Sequence, residues 1–147
     1  MDSVWKEIEA YYTDNNVYKS VVVCSDDRDT WTLSRILGMN MHSVCTLCAE
    51  DMDDDRDLYM RRVKEFGGTS HRVFVLSYHA WRALRDDLEV YVLPEQNLVV
   101  LVDMPEICGA EVGKWMVDAK RRGFVSRNDC IIVTIDSDDS DALGDAR

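Results

Sequence analysis

The sequence predicts an α/β fold, in which one mostly parallel central sheet carries helices on both of its faces. Short runs of β-branched and aliphatic residues alternate along the chain with segments of helical periodicity, and this order is typical of βαβ units. The chain has 147 residues, of which 46% are hydrophobic and 31% are charged, and this composition suits one soluble domain with a full core. We therefore predict a single three-layer sandwich at residues 1–135, followed by an acidic, disordered tail at 136–147.

The first half of the chain combines helical spacing with one clear β-branched run. Trp5, Ile8 and Tyr12 recur at the spacing of one helical face. The valine run at residues 20–24 is bounded by polar residues, as in a buried parallel strand. The acidic residues 51–55 lead into a helix, because carboxylates in a first turn complement the helix dipole. We predict helices at 4–12, 29–37 and 55–66, and strands at 20–24 and 43–47.

The second half continues the alternation. Apolar runs predict strands at 72–76, 97–102 and 130–135, and residues 111–122 form a helical pattern that ends at Gly123. Residues 79–86 fit either a helix or a tight turn. The sheet should have five or six strands, with residues 21–23, 73–75, 99–102 and 131–133 lying centrally. The segment 86–92 is either an extra edge strand or a local hairpin.

The charge of the chain limits its partners. The net charge is -11, which opposes binding of a phosphate backbone and favours protein partners with basic faces. No apolar run approaches the roughly 20 residues that span a bilayer, and residues 1–10 lack the pattern of a signal peptide. We expect no membrane association and a cytoplasmic location, with the nucleus or a perinuclear granule as alternatives. A domain of a longer protein is an equal alternative.

The cysteines give a weak metal signal. Five are present, and Cys45 and Cys48 form a lone CxxC motif. Zinc needs four ligands, and neither a second CxxC nor an HxxxH motif follows. Free buried thiols are the usual state of such residues outside secreted proteins. We therefore interpret the pair as packing or surface thiols, with a metal site or a redox pair as the alternatives, and we expect no metal and no cofactor.

The order of these segments from Trp5 to Ile135 resembles the second RecA-like domain of DEAD-box RNA helicases. Several stretches in series carry the resemblance, and it implies a RecA-like three-layer fold. The stretches are VVVCS at 21–25 for the family's IIFCN, KEFGGTSHRV at 64–73 for KEFRSGSSRV, SYHAWR at 77–82 for TDxxAR, LVVLVDMP at 98–105 for LVINYDLP, and KRRGF at 120–124 in the place of the arginine-rich HRIGRTGR.

Departures from the family pattern fall on its phosphate contacts. Asp26 stands where the family has a threonine that touches RNA phosphate, and a carboxylate repels that phosphate. The family's Thr-Asp pair reads Ser77 and Tyr78, which keeps a hydroxyl and loses the acid. Arg82 keeps the arginine of that motif. The resemblance therefore implies a lobe of helicase shape with altered chemistry.

The arginine-rich segment departs furthest. Its His-Arg start reads Val117 and Asp118, its middle arginine is kept as Arg121, and its last arginine reads Phe124. Arginine stabilises charge on the γ-phosphate in phosphoryl transfer, so these losses remove orders of magnitude in rate. The sequence also contains no GKT or GKS of a phosphate loop. We predict a non-enzymatic pseudo-helicase lobe that does not hydrolyse ATP.

Two functions remain open for such a lobe. The first is a protein-interaction or assembly module in ribonucleoprotein or small-RNA biology, an arrangement that resembles the degenerate helicase domains of Tudor-containing germline proteins. The second is an RNA-binding lobe that works with a separate ATP-binding lobe, although the basic cluster also suits a helix C-terminus without any ligand. The acidic net charge favours the first function and makes RNA binding weak. The basic cluster consists of Lys120, Arg121, Arg122 and Arg127.

Aromatic residues replace polar ones on the face that would hold nucleotide. Tyr78, Trp81 and Phe124 stand where the family has an Asp, a small residue and an Arg. Exposed there, they would form a protein-interaction surface, used by a partner or by self-association. The alternative for Trp81 is core packing. Ser77 and Arg82 are residual RNA or nucleotide contacts, unless Arg82 pairs with a carboxylate of the lobe itself.

Overall fold

A computed structural model of the protein describes residues 2–14, 20–40, 44–50, 61–62, 72–86, 98–121 and 131–137. These residues form five strands and four helices, with short helical stretches at 49–50 and 61–62. None of the described helices combines the length and the apolar character that crossing a membrane requires. In chain order the elements are α1 (Asp2–Asp14), β1 (Ser20–Cys24), α2 (Asp27–Asn40), β2 (Val44–Leu47), β3 (Val73–Ser77), α3 (Tyr78–Asp86), β4 (Leu98–Val102), α4 (Glu106–Arg121) and β5 (Ile131–Ile135).

The strands form one sheet in the order β2-β3-β1-β4-β5, and every pairing among the described residues is parallel. β1 is the middle strand, since Ser20 pairs with Val73 of β3 on one side and with Leu98 of β4 on the other. Each side chain of β1 is buried, as its valine run predicts for a strand that is covered on both faces.

Helices cover both faces of this sheet. On one face, Ile8 of α1 and Leu33 of α2 pack in a buried cluster with alternate side chains of β1, β3 and β4. On the other face, Trp81 of α3 is buried outside that cluster. Gly109 of α4 also lies there, where an added Cβ would be 3.8 Å from the Leu101 side chain. The predicted three-layer α/β fold with a parallel sheet is confirmed.

Each predicted strand is found, but the expected place in the sheet is correct only for the three central ones. Residues 21–23, 73–75 and 99–102 lie in the three central strands, as predicted. The expectation that residues 131–133 also lie centrally is wrong, because β5 pairs only with β4 among the described residues and Ile132 is 41% exposed. A β-branched run indicates a strand, whereas the connections between elements set its place in the sheet.

α4 begins at Glu106, earlier than the predicted helix at 111–122. Gly109 and Gly113 obscure its first turns in the sequence, because glycine is a poor helix former. Pro105 precedes the helix with a suitable φ, and its carbonyl accepts a hydrogen bond from the Gly109 N–H at 2.9 Å. Residues 79–86, which fit a helix or a tight turn, form α3.

Other predicted segments lie wholly or partly outside the described residues. Of the helix predicted at 55–66, only residues 61 and 62 are described, and they are helical. The segment 87–92 and the tail beyond residue 137 lie outside the described part of the chain.

Tyr12 links α1 to the amino end of the sheet. Its hydroxyl donates to the Arg72 carbonyl at 3.0 Å and accepts from the Ser20 hydroxyl. The Arg72 guanidinium lies 5.2 Å from the centre of the Tyr12 ring, which is a cation–π contact. Burial raises the pKa of Tyr12 from 10.0 to about 12, so the phenol stays protonated and remains a donor.

Tyr12→Phe is expected to lower the free energy of unfolding by about 1 kcal/mol near neutral pH, because the Arg72 carbonyl loses a donor and the Ser20 hydroxyl loses its acceptor. The pKa of Tyr12 is higher in the folded chain than in the unfolded one. The contribution of the hydroxyl is therefore complete below pH 10.0 and is lost as the pH rises to about 12. Urea unfolding, followed by tryptophan fluorescence at neutral and alkaline pH, measures both effects.

The matched control is Tyr11→Phe, on the same helix. No described hydrogen bond involves the Tyr11 hydroxyl, so this variant should keep the stability of the wild type to within about 0.5 kcal/mol. Equal losses in the two variants, or a Tyr12 effect that does not change with pH, would contradict the interpretation.

Candidate functional site

The carboxyl ends of the parallel strands meet at one edge of the sheet, which we call the carboxyl edge. α2 leaves β1 towards one face, whereas α3 and α4 leave β3 and β4 towards the other. In open α/β sheets this divergence opens a crevice in which ligands bind. The described residues that follow the strand ends are Ser25, Asp26, Asp27, Cys48, Ala49, Glu50, Tyr78, Asp103, Asp136 and Ser137.

Asp26 caps α2 at the carboxyl edge. Its Oδ1 accepts a hydrogen bond from the backbone N–H of Asp29 at 2.8 Å, as an N-cap side chain does. Its carbonyl accepts from the Thr30 N–H at 3.1 Å and from the Thr30 hydroxyl at 2.7 Å. The Asp26 carboxylate therefore binds the backbone of its own helix.

Asp27 caps a second helix N-terminus. Its Oδ1 accepts from the Ala49 N–H at 2.7 Å, and its Oδ2 accepts from the Glu50 N–H at 3.3 Å. Ala49 and Glu50 are the first helical residues after β2. The free N–H groups at a helix N-terminus are the donors that bind phosphate in many α/β proteins. In this chain a carboxylate of the lobe itself occupies them.

Several carboxylates surround the end of β1. Burial, followed by the carboxylates of Asp26 and Asp103, raises the pKa of Asp29, while Arg28 acts in the opposite sense. Burial is the main cause that raises the pKa of the Cys24 thiol, and the carboxylates of Asp29, Asp26 and Asp103 raise it further. This thiol is therefore neutral and is no nucleophile. The end of β1 has a negative potential that repels anions.

Asp103 links the ends of β4 and β5. Its N–H donates to the Ile135 carbonyl at 3.0 Å, and its Oδ1 accepts from the Ser137 N–H at 2.6 Å. Its φ of 51° lies in the left-handed region, which aspartate adopts more readily than most side chains. A third carboxylate is thereby held in place at this edge by backbone contacts.

At the end of β3, Tyr78 joins α3 to α4. Its hydroxyl donates a hydrogen bond to the Glu111 carboxylate. Its ring stacks on Trp81, with centroids 5.8 Å apart and planes tilted by 22°, and the Arg82 guanidinium lies 5.8 Å from its centre. Partial burial, and then the bond to Glu111, raises the pKa of Tyr78, so the phenol remains a donor.

The structure places the three residues of the predicted interaction surface differently. Tyr78 is half-buried, and Trp81 is only 2% exposed. The expectation that Trp81 presents an exposed indole is therefore wrong, and its alternative of core packing describes the residue, because α3 turns this side chain inwards. Phe124 lies outside the described residues. That this face binds a protein stays a prediction. Of its three proposed residues, Tyr78 is the one that the structure describes and leaves partly exposed.

The predicted RNA or nucleotide surface is divided in the same way. Ser77 is buried, and its hydroxyl accepts from the Ala80 N–H at 3.3 Å. Arg82 is exposed, and its guanidinium lies over the Tyr78 ring. The alternative prediction for Arg82 is an ion pair with a carboxylate of the same domain. Of the basic cluster, Lys120 and Arg121 lie in the last turn of α4 with side chains outside the described part, while Arg122 and Arg127 lie wholly outside it.

The CxxC pair lies beneath the carboxyl edge as buried, unbridged thiols. The Cys45 thiol donates to the Arg62 carbonyl at 3.3 Å, and the Cys48 thiol points to the Asp27 carbonyl at 3.9 Å. These contacts are those of packing thiols. Within the described ranges, no three His, Cys, Asp or Glu side chains converge on a position for a metal ion.

Asp27 and Glu111 are site residues that sequence reasoning missed. Asp27 reaches amides 22 and 23 residues further along the chain, and Glu111 pairs with a phenol 33 residues before it. Periodicity and capping patterns register only near neighbours, so contacts of this separation leave no local signal. One helix cap requires a single aspartate, so the second aspartate of the pair at 26 and 27 is the sequence signal that could have indicated a further contact.

No protein-family model and no curated protein sequence matches this chain. Its fold is similar to the crystal structure of the Pyrococcus furiosus Hef helicase domain, with a TM-score of 0.56, 17% sequence identity and 99% of this chain covered. The fold is that of a RecA-like α/β domain. The chain spans 27% of the length of that helicase-domain chain. At this identity the likeness concerns the fold alone, so the more specific DEAD-box resemblance stays a prediction.

Asp27→Ala is expected to lower the free energy of unfolding by about 1 kcal/mol, because two N–H groups at a helix N-terminus lose their acceptor. Glu7→Ala removes the same charge from an exposed position of α1 and should change stability by less than about 0.5 kcal/mol. Urea unfolding of both variants measures the difference. Equal losses would mean that charge, and not the cap, explains the effect.

Trp81→Ala is expected to lower the free energy of unfolding by about 3–5 kcal/mol, because a buried indole leaves a large cavity. That loss is a large part of the stability of a typical domain, so this variant reports on folding before it reports on any interface. Trp31→Ala is the control, since Trp31 is 44% exposed. Thermal unfolding followed by circular dichroism compares them, and a Trp81→Ala variant that melts with the wild type would refute core packing.

Proposed function

We propose that this chain is a non-catalytic, helicase-like lobe that acts as a protein-interaction or assembly module in an RNA-related pathway. One observation carries the proposal. The carboxylates of Asp26 and Asp27 bind the helix N-terminal N–H groups at the carboxyl edge, at 2.8 Å from Asp29 and 2.7 Å from Ala49. These are the groups and the position with which an α/β lobe binds phosphate.

A phosphate at this edge would meet two obstacles. It would have to displace carboxylates that already satisfy the N–H groups, and a displaced carboxylate would remain beside it. Two like charges about 4 Å apart near a protein surface repel each other by several kcal/mol. Asp29 and Asp103 add to this repulsion, since each lies close enough to affect the same titrations. The geometry therefore supports loss of nucleotide and RNA-phosphate binding at the carboxyl edge.

The electrostatics of the whole chain support protein partners. A net charge of -11 weakens attraction to any polyanion and favours contact with basic or mixed protein surfaces. The sequence also lacks the GK[ST] of a phosphate loop, so an ATPase would need a second lobe. The RNA-related setting is a proposal, and the likeness in fold to a helicase domain is what supports it.

Isothermal titration calorimetry with ATP and magnesium, with and without single-stranded RNA, tests the loss of chemistry. We expect no saturable heat below millimolar ligand, because the phosphate donors are occupied. A micromolar ATP signal would refute the proposal. Micromolar, salt-dependent RNA binding that falls when Lys120, Arg121, Arg122 and Arg127 become Ala would establish the alternative, an RNA-binding lobe.

A double substitution tests whether the two carboxylates are the cause. Asp26→Thr with Asp27→Asn removes two negative charges from the carboxyl edge and restores a hydroxyl at position 26. Glu7→Gln with Glu9→Gln removes the same charge from the exposed face of α1. We expect a gain of RNA affinity in the first variant that exceeds that in the second by about tenfold or more. Equal gains would mean that net charge alone opposes RNA.

A further inference from the structure

α2 presents an exposed stripe along its whole length. Its members recur at the spacing of one helical face, so they form a continuous strip on the side that is turned away from the sheet. Trp31 is 44% exposed and Met39 is 77% exposed, and both are among the large apolar side chains that the described part of the lobe leaves open. The exposed residues of this α2 stripe are Arg28, Trp31, Thr32, Arg35, Gly38 and Met39.

The charge of the α2 stripe is opposite to that of the chain. Its two charged members are Arg28 and Arg35, although the net charge of the protein is -11. The two aspartates of α2 with described side chains are half-buried and turned to other contacts. Asp27 binds the amides after β2, and Asp29 lies among the carboxylates of the carboxyl edge. The stripe therefore combines exposed apolar groups with local positive charge.

Gly38 adds an independent observation. A Cβ at this position would have nothing within 4 Å, so the packing of the lobe does not require glycine there. Glycine inside a helix lowers its stability relative to alanine. Between the exposed side chains of Arg35 and Met39, the absence of a side chain leaves a low point where a second backbone can approach closely.

A second copy of the chain is a poor occupant. Antiparallel pairing of two α2 helices that sets Trp31 of one copy against Met39 of the other would bring both Arg35 side chains together at the centre. Like charges at a helix contact are unfavourable. An acidic apolar partner instead satisfies the arginines and covers Trp31 and Met39, which fits the known mode in which an amphipathic helix lies on a complementary surface.

We propose that the α2 stripe binds an acidic amphipathic helix of a partner protein. Carboxylates of that helix pair with Arg28 and Arg35, its apolar residues cover Trp31 and Met39, and its backbone approaches over Gly38. This inference rests on the proposed function as an interaction module and assigns its surface to α2. RNA is a weaker candidate, because two arginines neutralise few phosphates and the carboxylates at the start of α2 repel them.

Fluorescence anisotropy with two labelled helical peptides tests this assignment on the full chain. Each peptide has about 18 residues, enough for a helix in a complex, with leucines at the spacing of one face. One peptide flanks the leucines with Glu, and its twin has Lys at each of those positions. We expect micromolar binding of the acidic peptide and at least about tenfold weaker binding of its twin. Arg28→Glu with Arg35→Glu should reverse that preference.

Three further variants separate the surface from the fold. Trp31→Ala should weaken binding by about tenfold or more, since an anchor indole is lost. Gly38→Ala should raise the melting temperature and yet weaken binding, a combination that a purely structural role would not produce. Ile107→Ala, on α4, removes an apolar side chain that is 84% exposed and should leave the affinity unchanged.

Several results would overturn the assignment. These are equal affinity for the two peptides, no saturable binding below millimolar concentration, or a preference that survives the double arginine substitution. Tighter binding of single-stranded RNA than of the acidic peptide, lost in that same double variant, would assign the stripe to RNA and overturn it as well. A lobe that binds neither the peptides nor ATP would refute the α2 surface and leave the loss of nucleotide chemistry standing.

Discussion

The position of β1 in the middle of the parallel sheet constrains the rest of the structure. Its backbone pairs with β3 and with β4, and each of its side chains is buried, so a change in its register would disturb the pairing with both neighbours and the packing on both faces at once. The chain leaves β1 towards one face and leaves its two neighbours towards the other. Asp26 and Asp27 begin two residues after the end of β1 and therefore lie at the divergence, which is the place where open α/β sheets bind ligands.

The two aspartates occupy helix N-terminal N–H groups at the carboxyl edge. A carboxylate at a helix N-terminus satisfies the free N–H groups and complements the helix dipole, as a bound phosphate does. The neighbouring Asp29 and Asp103 increase the local negative charge, and the buried Cys24 stays neutral beneath them.

The surfaces of the lobe differ in chemistry. The carboxyl edge is acidic around the end of β1. At the end of β3, Tyr78 is held by its hydrogen bond to Glu111 of α4 and by stacking on Trp81. The outer face of α2 is basic and apolar, with Trp31 exposed. Interaction through α2 would leave the carboxyl edge uninvolved. A helicase-like fold would then serve as a rigid support for a binding surface on one of its helices, because folds constrain function only through the sites they carry.

The sequence by itself determined the alternation of strands and helices, the parallel sheet and the carboxylate at position 26, because these depend on residue type and on short spacings. Only the tertiary structure decided that β5 pairs with β4 alone among the described strands, that Trp81 turns inwards, and that Asp27 and Glu111 hold groups more than 20 residues away. Local periodicity records which side of an element is apolar. It does not record which neighbour covers that side, since the connections and the packing of distant segments settle this together.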